Sequence, residues 1–135
     1  MKILAIKQPW ASLIITGGTN VATFAVERKD IENRSKMTKY RGPLLVHASA
    51  KPDALMTSRE LEKRYGVRPP DEQPVGGIIG ITEILDCVET HPSKWYQRGN
   101  YAYVLGKSRP LPFIEWKGIQ TIQAAPASLL RKLGL

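Results

Sequence analysis

The chain has 135 residues, 42% of them hydrophobic, and twenty Lys and Arg against twelve Asp and Glu give it a formal charge of +8. That length buries a core without metals or disulfides, and one cysteine, Cys87, excludes an internal disulfide framework. No apolar run approaches the roughly 20 residues of a membrane helix, and MKILAIKQPW is too short an apolar start for a secretory leader. The expectation is one domain, 1–135, working as a monomer in the cytoplasm. The basic surplus favours a polyanionic partner. Six bases and two acids between Arg28 and Arg41 hold half of it.

In chain order, residues 2–6, KILAI, read as a strand. Gln8-Pro9-Trp10 opens a helix, with proline where a missing N–H costs nothing. Trp10, Leu13 and Ile14 fall at helical spacing and are expected to bury together, and Gly17-Gly18 ends the helix. Residues 19–28, TNVATFAVER, fit a lid, a hairpin arm or a loop. KDIENRS (29–35) is taken as a strand, and PLLVHA (43–48) as a buried one. Thr57 with Glu60 forms a capping box for a helix through Tyr65, closed by Gly66. Residues 67–76 hold three prolines and are expected as an exposed loop. GIIGITEILDCVE is a long strand bent at Gly80, where a small residue permits close approach. Ser93 is expected to cap a short helix through Trp95 and Tyr96. YAYVLG is a strand, RPLPF is proline-punctuated, GIQTI (118–122) is a further strand, and Pro126 opens a final helix. Five or six strands with short helices between them predict an α+β fold, a small mixed β-barrel.

The dense charge of KDIENRS is the chain's most specific feature. On a strand, Asp30, Glu32 and Arg34 share one face while Ile31, Asn33 and Ser35 share the other, so Ile31 points to the core. A carboxylate that holds an arginine fork lets it be aimed at a phosphate or a base edge. The competing reading is a solvated ion pair of little energetic consequence.

Several blocks together resemble the ASCH domain, a branch of the PUA-like superfamily. IKQPWASLIITGG is similar to the opening strand and helix of that family, and KDIENRS fits its G-x-K-x-x-E-x-R signature at Lys29, Glu32 and Arg34. YRGPLLVHASAK, GGIIGITEILDC and WYQRGNYAYVL resemble its later strands, in the same order. The likeness is greatest to the domains of transcription coactivators and to small stand-alone bacterial proteins. Ten residues separate Gly18 from Lys29, where the family usually has one. The resemblance implies a five- or six-stranded PUA-like barrel whose side cleft binds RNA or single-stranded nucleic acid. It carries onto that cleft Gln8, Trp10, Lys29, Glu32, Arg34, Ser49 and Lys51, with His47 from the same block. Lys29 is expected beside the Glu32–Arg34 pair at the cleft mouth.

The same resemblance implies a second reading, an enzyme in that cleft. Relatives include ribonucleases and amidohydrolases acting on 4-acetylcytidine; in the latter a threonine nucleophile follows the motif lysine by three residues. Glu32 stands there in this chain. Lys29, Glu32 and His47 are the catalytic candidates, without a geometry from sequence. Two histidines, His47 and His91, and one cysteine give no metal-ligand spacing, and Gly76-Gly77 lacks a nucleotide-binding pattern, so neither metal nor cofactor is expected. Cys87 reads as a small core residue, and half of Trp95, Tyr96, Tyr101 and Tyr103 as core.

Overall fold

The computed structural model describes residues 1–118 and 120–135. Its elements are β1 (Lys2–Ile6), α1 (Trp10–Ile15), β2 (Gly18–Asn20), β3 (Val26–Glu27), β4 (Ile31–Arg34), β5 (Gly42–Ala48), α2 (Ser58–Tyr65), β6 (Val67–Arg68), β7 (Gly77–Val88), β8 (Tyr101–Glu115), β9 (Gln123–Ala124) and α3 (Ala127–Leu133). Six strands form one sheet in the order β4-β8-β7-β5-β1-β9, and β3-β2-β6 form a small second sheet. β1 and β5 run parallel; the other pairs are antiparallel. The large sheet curls into a half-barrel. Three strands separate β4 from β1, yet the Arg34 guanidinium on β4 reaches the Ala5 carbonyl on β1 at 2.9 Å. This is the mixed α+β barrel-like architecture that the sequence predicts.

The curl follows from where the backbone is allowed to bend. The β7–β8 pairing shifts register at Ile78/Gly80, Ile81/Glu83 and Ile84/Asp86, and each irregularity adds local twist. Gly80 is the expected bend. A Cβ there would stand 2.5 Å from Ile15 Cγ2 and 2.7 Å from the Arg109 carbonyl oxygen, so only glycine lets α1 close over the concave face. Inside the curl, Ile14 and Ile15 of α1 pack on Leu4, Ile6, Leu44, Val46, Ile84 and Leu105. On the convex face, Leu129 of α3 seals Ile3, Leu45, Ile78 and Ile81. Coverage of both faces is why β1 and β5 read as unbroken apolar runs. A third cluster, Leu13, Ile31, Met56, Leu61, Val67 and Trp95, anchors α2 and β4. Trp10 is half-buried and joins this cluster to the concave one, so it is a link between cores more than a core residue.

Several expectations are refined. Residues 19–28 are a hairpin arm: β2 pairs with β3 through Gly18↔Glu27 and Thr19↔Val26, and its other edge takes β6. The loop expected over 67–76 therefore begins as a strand, with Val67 buried. Thr57 caps α2 by accepting from the Glu60 N–H, while the Glu60 carboxylate turns to Arg64. The helix expected after Ser93 is instead a run of turns, held by the Ser93 hydroxyl and carbonyl accepting from the Trp95 and Tyr96 N–H groups. RPLPF is not a break. β8 continues through Pro110 and Pro112 to Glu115. Its pairing with β4 covers only Tyr101–Val104, so beyond that point one edge is unpaired and prolines cost no ladder bond there. The strand expected at GIQTI includes Ile119, which lies outside the described residues; the strand nearby is β9.

Candidate nucleic-acid interface

Parallel pairing of β1 with β5 puts Ala5 beside His47, and the Ser49 N–H continues the pairing onto the Ile6 carbonyl at 3.0 Å. Along the convex face, alternation carries Ile3, Ala5 and Lys7 on one strand and Leu45, His47 and Ser49 on the other. Ile3 and Leu45 lie under Leu129. Past them the cover ends, and an open cleft of about 1210 Å³ begins at the carboxyl ends of both strands. Ala5, Lys7, His47, Ser49, Ala50 and Lys51 line it from these strands. Glu115, Trp116, Lys117, Gly118 and Gln120 line it from the end of β8 and beyond, with Gly76 and Lys132 completing the wall. Among the described residues, four lysines thus face one cleft that contains a single carboxylate. The Lys132 ammonium lies 5.5 Å from the centre of the Trp116 ring.

Behind this cleft, KDIENRS forms a chain of ionic contacts. Glu32 is buried and carries a cation on each oxygen: Lys29 Nζ at 3.4 Å on Oε1 and Arg34 Nε at 2.9 Å on Oε2. Lys29 Nζ also donates to the Ile31 carbonyl and lies 5.5 Å from the centre of the Trp10 ring. Lys29 is therefore not at the mouth of the cleft; it is buried. Burial holds its pKa below the usual lysine value of 10.5, with Glu32 opposing the shift. Arg34 spends its remaining bonds on the walls, with Nη2 donating to the Ala5 carbonyl at 2.9 Å and Nη1 to the Gln120 carbonyl at 3.2 Å. Ala5 and Gln120 both line the cleft. Among the described residues the guanidinium keeps two N–H groups beyond these three bonds, and about a quarter of its side chain is exposed, 26%.

The expected site residues thus sort by position. His47, Ser49 and Lys51 line the cleft, Arg34 braces its walls, and Lys29 and Glu32 hold Arg34 from beneath. Gln8 and Trp10 lie apart from the lining. Gln8 is buried, its side-chain amide bonded to Ser12 and to the Pro74 carbonyl, and its backbone carbonyl accepts from the Asp53 N–H. Trp10 Nε1 donates to Asp53 Oδ2 at 3.1 Å. Both residues fasten the segment that carries Lys51.

Asp30 precedes β4 and accepts from the Ser93 hydroxyl instead of joining the pair. Tyr103 and Trp95 are buried, with the Tyr103 hydroxyl on the Lys36 carbonyl, and none of the four clustered aromatics lines the cleft. Cys87 is half-buried against the concave core. Sequence reasoning missed Lys7, Trp116, Lys117, Lys132 and Gln120. A period-two reading of Ile3-Ala5-Lys7 finds the first; the others arrive from the far end of the chain and carry no local signal. Among the described residues no group of three or more His, Cys, Asp or Glu is placed to hold a metal, and no helix is long and apolar enough to cross a membrane.

Comparison with known proteins places the fold in a family. The ASCH domain family model matches residues 4–123. Activating signal cointegrator 1 of Homo sapiens is 32% identical over 91 residues, and that of Mus musculus 31% over 91 residues. Each alignment covers 63% of this chain and only 14% of the relative, so the likeness concerns one part of a much longer protein. With nearly the whole chain matched and the curled mixed sheet in place, the chain belongs to the ASCH domain family, whose members are generally RNA-binding.

Proposed function

We propose that the chain is a nucleic-acid-binding module that holds RNA, or another single-stranded nucleic acid, in the cleft at the ends of β1 and β5. The observation that carries this reading is the convergence of Lys7, Lys51, Lys117 and Lys132 from four separate segments on one cleft. Like charges gathered in this way repel one another unless an anion is brought among them. A phosphate backbone supplies that anion, and the two Arg34 N–H groups without a partner among the described residues add a planar donor at the wall. The small residues Ala5, Ala50, Gly76 and Gly118 leave width for a flat ring. Gln8 and Trp10 act through the segment they fasten, and Lys29 and Glu32 act through Arg34. Glu32 occupies the position of the amidohydrolases' threonine, but both its oxygens are taken by cations, which favours binding over nucleophilic chemistry. The module is taken to act as a single cytoplasmic domain.

Retention of fragmented total RNA on the purified protein at graded salt tests the proposal. Strong retention that weakens with salt is expected. Arg34→Ala should weaken it by about 1.5–3 kcal/mol, more than tenfold. Arg34→Lys should not restore it, because one ammonium cannot reproduce the fork. Steady shortening of the RNA, lost in a His47 or Glu32 variant, would replace the binding module with a ribonuclease.

A further inference from the structure

His47 is 2% exposed, and its Nδ1 is, among the described residues, a buried side-chain nitrogen without a hydrogen-bond partner. Its other nitrogen, Nε2, faces the Trp116 carbonyl oxygen. A carbonyl only accepts, so in the neutral imidazole Nε2 carries the proton and Nδ1 presents a bare lone pair. That lone pair lies at the floor of the basic cleft, where Ala5 and Gly118 are its neighbours. The approach is close. A Cβ on Gly118 would stand 2.7 Å from Nδ1, 2.6 Å from Cε1 and 3.2 Å from Ala5 Cβ, closer than van der Waals contact, so a side chain at position 118 would collide with the imidazole edge.

A buried acceptor left unsatisfied costs free energy that a donor of the right shape recovers. Phosphate oxygens do not qualify, since they would meet the lone pair with their own. An N–H on the edge of a flat ring does. Resting on the nucleic-acid reading of the cleft, we infer that His47 Nδ1 is a base-reading atom: it accepts a hydrogen bond from an amino or imino N–H of a nucleobase inserted beside Gly118, while the surrounding lysines hold the backbone. The cleft then divides its labour. Lys7, Lys51 and Lys117 supply sequence-independent attraction, and His47 rewards a base whose donor edge is free.

The test uses short single-stranded oligoribonucleotides in matched pairs, adenosine against N6,N6-dimethyladenosine and uridine against 3-methyluridine. Wild-type protein should bind the unmethylated member about tenfold more tightly in at least one pair, as expected for one hydrogen bond to a buried acceptor. His47→Phe, which keeps a ring and removes both nitrogens, should abolish the preference and keep the salt dependence. Gly118→Ala, whose added methyl collides with the imidazole edge and crowds the space beside Nδ1, should do the same and serves if His47→Phe fails to fold. Equal binding of both members in both pairs by the wild type would overturn base reading while salt-sensitive binding still upheld the cleft. Binding indifferent to salt would instead remove the nucleic-acid reading on which this inference rests.

Discussion

Glu32 is the residue on which the charged motif turns, because one buried carboxylate neutralises two cations at once. Removing its charge leaves Lys29 in a low-dielectric site with no carboxylate at hydrogen-bond distance among the described residues, beside the Ile31 carbonyl and the Trp10 ring. Breaking a buried pair in this way costs about 3–5 kcal/mol. Glu32→Gln should lower unfolding stability by that amount in urea titration, and a loss under about 1 kcal/mol would return the motif to a solvated pair. Lys29 adds a pH signature. Its folded pKa is lowered by burial, so between that value and 10.5 the unfolded chain binds more protons than the folded one. Stability from this group therefore rises with pH across that interval. Tyr103, whose pKa burial raises above 10.0, acts in the opposite direction only from about that pH upward. Below it, wild-type stability should gain on Lys29→Met as pH rises, measured by denaturation at matched pH values. Parallel pH profiles would contradict a desolvated Lys29.

Elements were legible in the sequence wherever local chemistry decides them. KILAI and PLLVHA became β1 and β5 because an apolar run covered on both faces has no other stable use. The Thr57 cap and the left-handed Gly66 bound α2 as expected. Misreadings arose where distant partners decide. Pro110 and Pro112 look like breakers locally, and only the short reach of β4 shows that β8 has a free edge to hold them. Ser93 has the chemistry of a helix cap, yet Asn33 claims the following backbone: its amide donates to the Trp95 carbonyl and its carbonyl accepts from the Gln97 N–H. The candidate site divides in the same way. Period-two spacing links His47 to Ser49 on the cleft face, whereas Lys132 reaches it only through the docking of α3. Gly80 belongs to this scale as well. Gly80→Ala must displace Ile15 or the Arg109 backbone, and such overpacking costs about 1–3 kcal/mol. A denaturant midpoint unchanged by Gly80→Ala would show that α1 does not depend on the bend.

For the whole molecule, the surplus of +8 matters through its distribution. The bases of KDIENRS are largely spent inside: Lys29 is buried and Arg34 ties the curled edge of the sheet to the cleft walls. On the proposed reading, the charge offered to a ligand comes from lysines that the sequence scatters and the fold collects. On the same reading, fold and function are linked through this bracing, since the guanidinium that closes the half-barrel also holds the Ala5 and Gln120 carbonyls at the cleft wall. The most direct test is the salt dependence of binding to one single-stranded RNA, comparing wild type with Lys7→Ala/Lys51→Ala. Each phosphate contact contributes a slope of roughly −0.7 in log affinity against log salt. The double variant should therefore keep its melting temperature and have a slope shallower by about 1.4. An unchanged slope with an intact fold would place the nucleic acid elsewhere on the surface and contradict the cleft.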